Sequence, residues 1–358
     1  MPWAVRALAA LRGPVPRQAD VAAHRGSRRA ESRYPEALAM RIRIVTTEYP
    51  PFFGGVATWS GSVARALAGA GHEVDVFAHL GGGESEGGAE AGVPVSRLRG
   101  RSWNRWGHVW TAAQVRPRLG RGDVVLATTW PLAVHFAPET RLAVAWHGSD
   151  LTRPALIEGR EAVARRAVNF PVSRYLGGLV GAPHTVLPYP IEPTTPARRG
   201  EALLVVARLN ALKGVDRAVR LAARLGRPLV VVGDGPERLR LEALASALDV
   251  HADFRGATSE IPWDGTWALA LLSRPDADGS GQEGLGLVLL EAAARGIPSI
   301  GSGCGGIPEA ASVVLLDPEA DEVPELPGAG VVQDWLREHH GAARCVAAFE
   351  RGLDAGGT

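Results

Sequence analysis

From Met40 onward the chain alternates short β-branched runs with stretches in which apolar residues return every three or four positions. The first run, RIRIVTTEY, is a strand pattern, and the stretch after PPFFGG carries a helical period. Read this way, strands are predicted at 41–48, 73–78, 123–127, 142–146 and 184–187, with helices near 56–70, 104–118, 158–168 and 173–180. A proline-rich segment, PYPIEPTTPARRGE, then reads as an interdomain linker. A second series follows, with strands at 202–207, 228–232, 252–254, 268–272, 298–300 and 313–316 and helices at 214–225, 236–248 and 285–295. Strands alternating with helices predict parallel sheets covered by helices, hence an α/β chain of two Rossmann-like halves that face each other. The predicted boundaries are an N-terminal domain over 40–192, a C-terminal domain over 193–330, and a terminal helix (VVQDWLREH) with a Gly-rich tail over 331–358.

Residues 1–39 show neither period and hold seven arginines against three acids, so they read as a disordered extension or an overlong translation start. Without them 32 basic and 35 acidic residues remain, and the formal charge of +1 gives no footprint for nucleic acid. No apolar run approaches the ~18 residues of a membrane span, and the apolar stretch at the N-terminus is too short for a signal peptide, so a cytoplasmic location is expected. Cys304 and Cys345 read as two thiols rather than a disulfide or a metal site. Of the 39 basic residues, Lys213 is the one lysine, which reads either as a position where a compact, flexible charge suits better than a planar guanidinium or as chance.

In open α/β sheets ligands bind in the loops after the strands, and four of these loops are unusual. EYPPFFGGVATW sets Gly54 and Gly55 at a helix start, where backbone can come close to a ligand. AWHGSD puts His147 at a strand end. VARLNALKGVD carries Arg208 and Lys213 after the first strand of the second series. In QEGLGLVLLEAAA a helix starting near Gly284 would offer the N–H groups of Gly284, Leu285 and Gly286 to a phosphate. Glu291, two turns in, would share that face and accept hydrogen bonds from neighbouring hydroxyls such as those of a ribose, while Glu283 would bind hydroxyls on the other side of the phosphates. Two sugar-binding carboxylates around a diphosphate describe a nucleotide sugar.

The motifs PPFFGGV, HGSD, RLNALKG, GDGPE, EGLGLVLLE and GGIPEA, in this order over about residues 40–317, resemble the retaining GT-B glycosyltransferases of family four. The resemblance implies two Rossmann-like domains with parallel sheets facing across a cleft, and transfer of a hexose from a UDP- or GDP-linked donor with retention and without a metal or other cofactor. It assigns Arg208 and Lys213 to the donor diphosphate, Glu291 to its ribose and Glu283 to the transferred sugar. It sets His147 beside the reacting sugar, and Gly54 and Gly55 near the phosphates and the acceptor. The acceptor would be a saccharide, a lipid-linked saccharide or a small molecule. Leu285 stands where the family more often has an aromatic residue.

Other readings use the same residues. Glu291 would be a surface glutamate, but LVLLEAAA surrounds it with apolar residues; Glu283 would be an acid at a helix N-terminus. Asp276 and Asp278 form a D-x-D pair of the kind that holds a divalent cation in the GT-A class, yet they fall deep in the second half. GDGPER and GLGLVL lack the third glycine of a dinucleotide fingerprint. A sugar-nucleotide epimerase or a phosphorylase on the same fold, and a catalytically silent nucleotide-sugar-binding partner of another transferase, are the alternatives. Trp103, Trp106 and Trp110 share one helix with arginines between them; they are expected in the core, with peripheral contact to an anionic membrane as the second reading.

Overall fold

The structure, a computed structural model, describes residues 39–52, 54–79, 88–90, 92–99, 105–148, 151, 159–275 and 282–356. The N-terminal segment 1–38, Trp103 and the D-x-D pair Asp276 and Asp278 lie outside them. Two sheets organise the chain. The first has the order β3-β4-β2-β1-β5-β6-β7, from β1 (Arg41–Thr46), β2 (Glu73–His79), β3 (Gly88–Glu90), β4 (Val93–Leu98), β5 (Val124–Ala127), β6 (Arg141–Trp146) and β7 (Val168–Pro171). All its pairings are parallel except the edge pair β3–β4. The second is wholly parallel with order β10-β9-β8-β11-β12-β13, from β8 (Ala202–Val206), β9 (Leu229–Val232), β10 (Ala252–Phe254), β11 (Thr266–Leu271), β12 (Ser299–Ser302) and β13 (Val313–Leu315). In both sheets the order reverses beside the first strand, which opens a crevice at the strands' carboxyl ends.

The strands are apolar because helices cover both faces. In β1, Ile42 and Ile44 are fully buried, and α1 (Gly55–Gly69) lays Ala57, Trp59, Val63, Ala64 and Leu67 against the sheet. Polar residues in the sheet are paired. Arg43 reaches Asp123 at 3.0 Å, Glu73 at 2.8 Å and Asp75, at the end of the sheet away from the crevice.

Several elements depart from the predicted pattern. VNFP forms β7 in the gap between the helices expected near 158–168 and 173–180, and residues 184–187 run beside it with one bridge, Asn169 to His184, instead of forming a strand. A four-residue buried run carries too few positions for its period to be read. The β3–β4 edge pair and the one-turn α3 (Trp130–Ala133) are further elements that the pattern left out. α2 (Arg105–Val115) is a helix as expected, but its tryptophans are not core: Trp106 is 76% exposed, Trp110 56% and Val109 39%. The buried face consists of Gly107, Thr111, Ala112 and Val115, whose small side chains let the helix sit close and turn Trp106 and Trp110 outward.

The largest departure is at the C-terminus, where the expected tail is the helix α10 (Ala342–Ala355), which packs on α1 and β7 of the first sheet. Phe349 stacks on Phe170 with ring centroids 5.0 Å apart, and Glu350 meets His72 at 3.3 Å. The preceding α9 (Ala329–His339) packs on α8 (Leu287–Ala294), and the Gln333 amide donates to the carbonyls of Thr194 and Ala294, 2.8 Å each, so the linker is tied down. Phe349→Ala is expected to lose about 3–5 kcal/mol of stability in urea unfolding, the range for emptying an aromatic from a packed core.

Candidate active site

The carboxyl ends of the two sheets meet, and the loops there hold the predicted residues. On the first-sheet side the chain turns back after β1: the Thr46 hydroxyl donates to the Glu48 carbonyl at 2.7 Å and accepts from the Glu48 N–H at 3.2 Å. This aims the Glu48 carboxylate across Gly54, where a Cβ would stand 2.9 Å from Oε2. Gly55 then opens α1 with no acidic residue in its first turn and no side-chain cap. His147 follows β6, and Trp59 of α1 meets its ring edge-on at 4.7 Å. Burial pushes the imidazole down to about 4, so it is neutral at pH 7 and offers a hydrogen bond rather than a charge.

On the second-sheet side, the stretch after β8 is shaped by its own side chains. Asn210 Oδ1 accepts from the Lys213 N–H at 3.2 Å, and Gly214 follows at φ +61, where a Cβ would collide with the Leu272 carbonyl. The GDGPE loop supports this stretch: Leu209 N–H donates to the Asp234 carbonyl at 2.9 Å and Glu237 N–H to the Leu209 carbonyl at 3.0 Å. GDGPE is therefore a brace. Lys213 Nζ lies 2.5 Å from Glu283 Oε2, and the Ser273 hydroxyl approaches the same oxygen at 3.4 Å. Arg208 is exposed and acts across the crevice on Glu48, whose carboxyl burial pushes up and Arg208 pulls back down.

The loop 283–286 is where the halves touch. At Gly284 a Cβ would collide with the His147 carbonyl oxygen, so only glycine lets these two backbones meet. The helix does not start there, as predicted, but at Leu287, with Gly286 before it at φ +82. Gly284, Leu285 and Gly286 are thus a buried loop leading into α8 rather than its first turn. Glu291 consequently sits in the second turn of α8. Burial pushes its carboxyl up, opposed by Arg295, and its charge bears on Tyr189, whose hydroxyl pairs with Ser62 of α1 at 3.2 Å. Gly55 lies opposite Leu287, 3.8 Å from it by the same Cβ measure.

The structure therefore gathers His147, Lys213, Glu283 and Gly284 in one place, sets Arg208 with Gly54 on the same crevice, and directs Glu291 toward Tyr189. Glu48, Tyr189 and Glu309 belong to the same surroundings and carried no expectation. Glu48 had a readable signal, an acid just past a strand end, the position that singled out His147.

A twin α/β fold with cations and carboxylates at the facing strand ends fits a glycosyltransferase with two Rossmann-like lobes. The comparisons agree. The sequence model for glycosyl transferases group 1 matches residues 193–312. The chain is 30% identical over 336 residues to a glycogen synthase of Mycobacterium tuberculosis, covering 76% of this chain and 80% of that one. It is 28% identical over 323 residues to a GDP-mannose-dependent alpha-(1-6)-phosphatidylinositol monomannoside mannosyltransferase of the same organism, covering 75% and 82%. Among solved structures, AviGT4, a glycosyltransferase of avilamycin A biosynthesis, matches with TM-score 0.66 at 19% identity over 88% of this chain and 97% of that one. HepE of Anabaena in complex with UDP also gives 0.66, at 16% identity over 88% and 100%. The chain belongs to the group 1 glycosyl transferases.

A histidine held near 4 when folded and near 6.5 when unfolded takes its proton in the unfolded state first, so its stability contribution is present above about pH 6.5 and is lost as pH falls toward 4. Lowering the pH from 7 to 5 is expected to cost about 1–2 kcal/mol through His147. His147→Gln should shrink the difference between urea unfolding curves at the two pH values by that amount.

Proposed function

We propose that the protein moves a hexose from a nucleoside diphosphate sugar to an acceptor hydroxyl with retention of anomeric configuration and without a divalent metal. The residues 40–192 would hold the acceptor and 193–330 the donor. The observation that carries the reading is the Lys213–Glu283 pair set against the Gly284–His147 contact: a cation, a carboxylate and a neutral imidazole converge where two backbones are too close to admit a side chain. Breaking the bond to the sugar loads negative charge onto the departing diphosphate, and a fixed ammonium, a guanidinium and main-chain N–H groups stabilise it as it forms. Glu283 accepts hydrogen bonds from hydroxyls of the transferred sugar, and neutral His147 hydrogen-bonds the sugar from the opposite side. Glu291 holds the ribose hydroxyls.

Relatives named for GDP-mannose and a structural neighbour bound to UDP support a nucleotide-sugar donor and leave its base open. The first experiment is a thermal-shift screen with GDP-mannose, UDP-glucose and ADP-glucose, with and without EDTA. An EDTA-insensitive shift with one of them, lost in Glu291→Ala, is expected; no shift with any would reject the reading. With the donor known, Lys213→Ala should lower kcat ~30- to 1000-fold, the cost of one lost group on a developing charge, and product NMR should show the donor's anomeric configuration retained.

One surface favours a lipid-linked acceptor. Trp106, Val109 and Trp110 form an exposed stripe on α2, and Arg116 and Arg118, both exposed, follow it directly. Large apolar side chains beside arginines suit the interface of an anionic membrane. No helix among the described residues is long and apolar enough to cross a membrane, so such contact would be peripheral. The protein should float with vesicles containing phosphatidylserine or phosphatidylinositol and less with pure phosphatidylcholine, and Trp106→Ala/Trp110→Ala should abolish flotation. Equal recovery of wild type and variant with the vesicles would remove this surface from the acceptor question.

A further inference from the structure

The GGIPEA motif supplies a carboxylate that the proposed reaction does not use. Glu309 ends the short turn Ile307–Glu309 after β12, on the second-sheet side. Its two oxygens accept from the first two N–H groups of α5 (Arg174–Val180), which belongs to the first lobe: Oε2 from Arg174 N at 2.8 Å and Oε1 from Tyr175 N at 2.7 Å. The Arg174 guanidinium adds an ion pair at 3.4 Å, and the Glu309 side chain is only 19% exposed. A helix cannot satisfy its first N–H groups internally, so they need a partner from elsewhere. Here that partner comes from across the crevice.

The same contact reaches the donor loop from two directions. Ser173, the residue before α5, accepts from Leu176 N at 3.2 Å and donates its hydroxyl proton to the Gly284 carbonyl at 2.7 Å. From the other side, Gly306 N–H donates to the Glu283 carbonyl at 2.9 Å. The consecutive carbonyls of Glu283 and Gly284 are therefore held by opposite lobes, through Gly306 of the motif and Ser173 at the helix. Glu309 joins those two holders to each other. Separating the lobes would strip α5 of two charge-assisted hydrogen bonds and take Ser173 off Gly284 in one movement.

We propose that Glu309 is a positioning residue, an interlobe latch that closes on the N-terminus of α5 and, with Ser173 and Gly306, sets the Glu283–Gly284 peptide for the donor sugar. Its consequence for the reaction rests on the reading of Glu283 given above; its mechanical part does not. Closure and placement of Glu283 become one event. Donor captured by an open molecule would meet an unplaced Glu283.

The test uses the full chain as wild type, Glu309→Gln, Glu309→Ala and Ser173→Ala, each checked for folding by thermal unfolding. On the protein without donor, small-angle X-ray scattering should give a larger radius of gyration for Glu309→Ala, and amide exchange at Gly306 should quicken about tenfold or more, with Glu309→Gln between it and wild type because it keeps one acceptor. A folded Glu309→Ala with wild-type radius and wild-type exchange at Gly306 would overturn the latch, whatever the donor proves to be. With the donor that the thermal-shift screen identifies, KM should rise about tenfold in Glu309→Ala and Ser173→Ala while kcat falls less, and Glu309→Gln should recover part of the loss. An unchanged KM in a variant that has opened would leave the latch standing and overturn its role in placing Glu283. If no donor binds at all, the functional reading fails, and scattering and exchange still decide the latch.

Discussion

The architecture depends on one approach of backbone to backbone. The loop after β11 meets the end of β6 at Gly284 and the His147 carbonyl, where a methyl group would already collide. Each lobe brings a different chemistry to that point: the first a neutral imidazole, the second an ammonium and a carboxylate. Because the contact is main chain to main chain, it fixes distance without using the side chains around it. The side chains of His147, Lys213 and Glu283 take no part in that contact, and hydrogen bonds from Ser173 and Gly306 hold the loop that carries Glu283.

The charges of the molecule separate into two kinds by the same topological rule. At the end of the first sheet away from the crevice, Arg43 and Asp123 form a buried pair that ties β1 to the start of β5, and the more exposed Glu73 and Asp75 meet the same guanidinium from β2. At the crevice, Lys213 keeps 30% of its side chain exposed and Glu283 17%, while Arg208 is exposed and acts on Glu48. Pairs of the first kind are structural, since removing one partner would strand a buried charge. The Lys213–Glu283 pair keeps partial access to water, so under the proposed reading an incoming anion would exchange one partner for another without entering a sealed site.

Much of this was legible in the sequence. Periodicity alone places most strands of both sheets and the loops that matter, because a fully buried strand between polar turns is a strong local signal. The signal failed where the deciding force is tertiary. β7 is four residues long, and its identity as a strand depends on β6 beside it. α10 looks like part of a Gly-rich tail, but its one glycine accepts a neighbour: Gly352 leaves the room that Phe170 fills. The tryptophans of α2 pointed inward by composition and outward in fact, since the small residues at 107, 111 and 112 gave the closer fit. The start of α8 was set two residues too early because glycines at a helix start are read as helix, whereas Gly286 takes a left-handed turn that ends the loop. Glu309 was invisible for a related reason. Its partners are main-chain N–H groups more than a hundred residues away, and main-chain groups carry no sequence signature.

The single lysine shows how a count acquires a physical meaning. In a chain whose other 38 basic residues are arginine, Lys213 alone occupies a spot bounded by Gly214, which has no room for a Cβ, and by Glu283, whose oxygen it approaches to 2.5 Å. A guanidinium is planar and presents its donors in a fixed fork, so at this separation it would have to align with the carboxylate and could not turn toward a second anion. An ammonium has three donors on a rotating head and can serve Glu283 with one while another faces the crevice. Arg208, five residues earlier and exposed, has no such crowding, and there the chain keeps its usual arginine. The choice between the two cations therefore follows the space available at each position, and the rarity of lysine in the composition is what makes that choice visible.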